Sequence, residues 1–120
     1  MLTQARFDAP AGVLEIKMVD SDATAKPLLK HGCFGADIIR FPPNGKIADH
    51  IHPGSHMLFV LSGFGWVDYE GVPTRLKPGV CYLIPAGIRH GIRATTELTL
   101  LAVGDDHREA GAAERLTLCE

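Results

Sequence analysis

Glycine and proline interrupt this chain so often that no long regular element fits between them. The 120 residues include 13 glycines and 8 prolines. The turn formers are specific: Pro42-Pro43-Asn44-Gly45, Pro53-Gly54, Ser62-Gly63, Glu70-Gly71, Lys77-Pro78-Gly79 and Pro85-Ala86-Gly87. Between them lie runs of alternating or β-branched residues: Val13 to Val19, Phe34 to Phe41, Met57 to Leu61, Phe64 to Tyr69, Val80 to Ile84, Ile88 to Ala94 and Leu98 to Val103. Each run is about five to eight residues, the length of a strand. Short strands separated by turns at intervals of roughly ten residues predict an all-β sandwich or barrel. No run from Gly32 to Val103 carries apolar residues at the helical period. The stretch from Asp20 to Lys30 reads as a loop with at most one helical turn. Near the end, Ala110, Ala112 and Ala113 favour a short helix over His107 to Arg115. The alternative there is an edge strand over Glu114 to Leu118.

The length suits one domain spanning residues 1–120 and lets the chain bury about two-thirds of its unfolded surface. The formal net charge is −2 with no basic block or stripe, so nothing argues for nucleic acid and no nucleic-acid partner is expected. No stretch approaches the roughly 18–20 apolar residues of a membrane helix. The opening Met1-Leu2-Thr3-Gln4-Ala5-Arg6 does not read as a secretory signal. Cys33, Cys81 and Cys119 are odd in number and form no CxxC pair. They read as reduced thiols, and the expected location is cytoplasmic.

Four of the six histidines form a pattern. His50-Ile51-His52 is an HxH pair, and on a strand residues two apart share a face, with α-carbons about 6–7 Å apart. Two imidazoles so placed can converge on one ion with metal–nitrogen bonds of about 2.0–2.2 Å. His56 follows across Pro53-Gly54-Ser55, a turn that can fold the chain back so that His56 opens the next strand. His90 comes just after Pro85-Ala86-Gly87, and closing a barrel could set it opposite the pair. His50, His52, His56 and His90 are therefore the candidate metal ligands, with His56 alternatively a hydrogen-bond partner of a ligand.

At these residues the chain resembles the cupins. His50-x-His52-x3-His56-x6-Gly63 is similar to the first cupin motif, and Gly79-x5-Pro85-x-Gly87-x2-His90 to the second. Together they lie within residues 45–94. The resemblance implies a double-stranded β-helix, the jelly-roll barrel, with one divalent transition metal (Fe, Mn, Ni, Co, Cu or Zn) inside one mouth. It also implies a small-molecule ligand or substrate and a homodimer that covers an open sheet edge. This chain departs from the motif in three places. His56 stands where the family usually has Glu, and Ala94 where it often has Asn. Gly45 is one residue closer to the HxH pair than usual. Four neutral imidazoles would leave the full charge on the ion, making it more electrophilic and harder to oxidise.

The resemblance leaves three activities open. The first is a dioxygenase or other oxidoreductase acting on a small enol, diketone or unsaturated substrate. The second is a non-enzymatic metal- or ligand-binding module. The third is a metal-assisted isomerase or lyase, which would need a base that the missing Glu does not supply. Other residues have plainer readings. Trp66, Tyr69, Phe59, Phe64 and Tyr82 are expected to fill the barrel interior, and Cys81 to be a buried inert thiol. Asp105-Asp106 reads as a turn, and His31 and His107 as solvated surface groups. Arg89 is either solvated or placed to meet an anionic substrate at the mouth.

Overall fold

The computed structural model describes residues 1–8, 15–105 and 117–118. Its elements are β1 (Ile16–Lys17), β2 (Thr24–His31), β3 (Phe34–Phe41), β4 (Lys46–Ile51), β5 (His56–Ser62) and β6 (Gly65–Tyr69), then β7 (Val72–Leu76), β8 (Cys81–Ile84), β9 (His90–Ala94), β10 (Leu98–Gly104) and β11 (Thr117–Leu118). They form two antiparallel sheets, ordered β1-β2-β3-β10-β5-β8 and β11-β4-β9-β6-β7. No helix among the described residues is long and apolar enough to cross a membrane. The architecture is the all-β jelly-roll barrel that the turn spacing and the two motifs imply.

Alternation along the strands places the core. Ile39 and Phe41 of β3, Leu58 and Val60 of β5, Ile84 of β8, and Leu98, Leu100 and Ala102 of β10 are buried on the inner face of the six-stranded sheet. Ile47, Val67, Leu76, Ile92 and Ala94 face them from the other sheet. Period-two alternation ties each register to this core, because a one-residue slip would turn the apolar set outward.

Several expectations are corrected. The stretch from Asp20 to Lys30 is largely strand, since β2 begins at Thr24 and pairs with β3. The apolar pattern hides this: β2 is mostly exposed, and Pro27 sits at a register shift where a missing N–H is tolerated. Within the Val13 to Val19 run, the described residues form strand only at Ile16–Lys17. Cys81 is exposed rather than buried. Phe59 and Phe64 are exposed, and Trp66 lies on an outer face with the Arg75 guanidinium 5.2 Å from its ring centroid. Only Tyr69 and Tyr82 of the five aromatics pack against the core. The expected helix over His107 to Arg115 lies outside the described residues, as do His107, Asp106 and Cys119. The edge-strand alternative is met at Thr117–Leu118, which pairs with β4 at Ile51 and His50. His31 is exposed, as expected.

Candidate metal centre

The HxH pair faces inward because of an irregularity in β4. Ile47 pairs with Ile92 and His50 with His90, so three steps along β4 match two along β9. The extra residue is a β-bulge, and it reverses the alternation. Ile47 and His50 therefore share the inner face, which regular alternation would have given to Ile47 and Asp49. The bulged Ala48 carbonyl accepts a hydrogen bond from His50 Nδ1–H at 2.8 Å.

The same device recurs at the other two rings. His90 Nδ1–H donates to the Ile88 carbonyl at 2.9 Å, and His52 Nδ1–H to the Gly54 carbonyl at 3.2 Å. Each bond fixes a ring and its tautomer, leaving the lone pair on Nε2, the form that a metal requires. Ring nitrogens of His50, His52 and His90 all lie within 4.8 Å of one another. Two nitrogens bound to one ion at about 2.1 Å stand about 3–4 Å apart, so small side-chain rotations close the set. The donor set thus fits a transition metal, as three neutral imidazoles in a mostly apolar cavity.

His56 stands outside this set of three. Its ring is edge-on to His52 at 4.1 Å between centroids and 6.1 Å from His90. All four histidines line one narrow cavity of about 30 Å³ with Met18, Ile39, Phe41, Ile47, Leu58 and Ile92. His50 and His90 belong to the five-stranded sheet, His56 to the six-stranded sheet, and His52 to the turn between them.

Burial pushes the His90 imidazole below its usual pKa, against the opposing effects of the Ile88 carbonyl and the Asp49 carboxylate. Asp49 also receives Arg89 Nε–H at 2.9 Å. This pair links the residues immediately before His50 and His90, and it places Arg89 in an ion pair rather than alone at the mouth. Motif spacing shows nothing of the six apolar wall residues, because they come from five separate parts of the chain. Met18 lies in the Val13 to Val19 run, but nothing there marks it as a wall of the histidine cavity.

A two-sheet jelly-roll with imidazoles converging at one end defines a class of small β-barrel proteins. The chain belongs to the cupins: the cupin domain profile matches residues 37–104. It is 35% identical over 68 residues to protein SchB of Streptomyces halstedii, covering 56% of this chain and 48% of SchB. Over 67 residues it is 33% identical to the dimethylsulfoniopropionate lyase DddW of Ruegeria pomeroyi, covering 56% of this chain and 44% of DddW. The matches thus span about half the length of these curated relatives. Among solved structures it resembles KdgF from Halomonas sp. in fold, with a TM-score of 0.75, 18% identity and coverage of 91% of this chain and 96% of KdgF.

Proposed function

We propose that this cupin is a metal-dependent enzyme. His50, His52 and His90, with His56 beside them, would hold one divalent transition-metal ion, and the enzyme would use O2 to oxidise a small enol, diketone or unsaturated compound. The observation that carries this reading is three imidazoles, each tied through Nδ1 to a backbone carbonyl, in a cavity whose other walls are apolar. A bound ion would supply Lewis acidity toward a substrate oxygen and, for Fe, Mn, Co or Cu, a redox centre. The chain's own residues do the rest. Phe41, Leu58 and Ile92 give the cavity an apolar wall beside the imidazoles. Among the described residues, no carboxylate, lysine or arginine lines the cavity. The walls therefore offer no counter-charge to an ionic substrate and no base except imidazole. A substrate that ionises readily, such as an enol, suits that poverty of bases. The cavity of about 30 Å³ admits only a few atoms beside the imidazoles, so the substrate must be small or reach in by one end.

The test is elemental analysis of untagged protein, followed by oxygen-uptake assays with enols and diketones. About one equivalent of metal per chain, lost in His52→Ala, is the expected result. Absence of metal after reconstitution refutes the reading. A second reading, a metal-assisted lyase, is favoured by the likeness to DddW and by His56, an imidazole outside the set of three that could take a proton. Turnover without oxygen would select it.

A further inference from the structure

His52 and His56 are held differently from His50 and His90. The latter two are paired across adjacent strands, whereas His52 and His56 bracket the turn Pro53-Gly54-Ser55. A proline–glycine turn has several accessible conformers, so something must select the one that sends both rings inward.

Asp105, just past the end of β10, grips this turn at three points. Its Oδ1 accepts the Ser55 N–H at 2.7 Å. Its own N–H donates to the Ser55 carbonyl at 3.1 Å. Its carbonyl oxygen packs against Gly54 so closely that a Cβ at Gly54 would collide with it. From the opposite side, Ala86 N–H donates to Ser55 Oγ at 2.9 Å and Gly87 N–H to the His52 carbonyl at 3.0 Å. The carboxylate bond is charge-assisted and has an acceptor-only partner, so it admits one polarity of the turn.

We propose that Asp105 is a positioning residue of the metal centre: through Ser55 and Gly54 it sets where His52 and His56 stand relative to His50 and His90. The inference rests on the reading of these histidines as metal ligands. Asp105 is exposed and its carboxylate holds the turn through the Ser55 N–H, so its effect on global stability should be smaller than its effect on the histidines. Metal bonds tolerate only about 0.2 Å of error, so its effect on affinity is large.

The test titrates Co2+ into metal-free protein and follows the visible absorption bands and the urea midpoint together. Asp105→Ala is expected to weaken Co2+ binding about 10–100-fold, the usual effect of losing a group that orients a ligand. Its bands should change while the urea midpoint of the metal-free protein stays near wild type. Asp105→Asn keeps an oxygen acceptor and should recover most of the affinity. Asp105→Glu keeps the charge one methylene further out; it should bind at least several-fold more weakly than wild type, and it serves if the alanine variant does not fold. Wild-type affinity and bands in Asp105→Ala or Asp105→Glu would overturn the proposal, and so would an asparagine variant as weak as the alanine one. Failure of the wild type itself to bind Co2+ would overturn the ligand reading beneath it, a result that no Asp105 variant can mimic.

Discussion

Replacing Gly104 with alanine would put a methyl group where β5 now stands. Gly104 pairs with His56 across β10 and β5. A Cβ built there would lie 2.5 Å from His56 Cβ and 2.5 Å from the Ser55 carbonyl oxygen. Carbon contacts relax to about 3.5 Å, so the start of β5 must move by about 1 Å. Overpacking of this kind costs about 1–3 kcal/mol. Removing a strand glycine returns about 0.5–1 kcal/mol, for a net loss of up to about 2.5 kcal/mol. A useful control is Gly71→Ala. Gly71 has φ +80° and nothing within 4 Å of a built Cβ, so its cost of about 1–2 kcal/mol is purely backbone strain. Both variants should lower the urea midpoint, each by the equivalent of no more than about 2.5 kcal/mol in stability. Only Gly104→Ala should alter the Co2+ spectrum, because a 1 Å shift carries the His56 ring with it. Identical spectra for the two variants would refute the idea that close approach at Gly104 sets the His56 ring.

Three further outcomes follow from the geometry. Burial lowers the His90 pKa in the folded chain, so above about 6.5 both folded and unfolded His90 are neutral and the shift has no effect on stability. Below that value the unfolded chain takes up the proton first, so the urea midpoint of metal-free protein should fall from pH 7.5 to 5.5, and less so in His90→Gln. Leu100→Ala should cost about 2–5 kcal/mol, because Leu100 is 0% exposed in the core, whereas Leu101→Ala on the outer face should cost about 1 kcal/mol. The reverse order by urea denaturation would show that the two faces of β10 are misassigned. His56→Glu should retain a metal with a changed spectrum and metal preference; an unchanged spectrum would put His56 outside the ligand set.

The strands legible in the sequence are those bounded by turn residues and rich in inward apolar side chains, such as β3, β5 and β10. β2 and β7 were illegible for a common reason: their side chains are mostly exposed and each contains a proline, Pro27 or Pro73. They are held by backbone pairing in the hairpins β2–β3 and β6–β7 rather than by an inward apolar face, so hydrophobic alternation does not mark them. The histidine spacing marked the candidate residues but not their facing. Facing depends on the bulge between Ile47 and His50, which is defined only against β9. The aromatics misled for a related reason. Phe59 alternates outward and Trp66 sits under Arg75, so size and apolarity alone did not decide which face they took. Asp105 is 50 residues from the turn it holds, beyond the reach of any motif.

The four histidines straddle the seam between the two sheets, and this bears on how the molecule would come apart. At that end of the sandwich the six-stranded sheet contributes His56, the five-stranded sheet contributes His50 and His90, and His52 sits on the chain crossing between them. An ion held there would act as a clasp across the seam, joining layers that otherwise meet through apolar contact. Stripping it should loosen one end while the packed centre around Leu98 and Leu100 stays shut. Amide exchange would then quicken first at the beginnings of β5 and β9, well before any global unfolding.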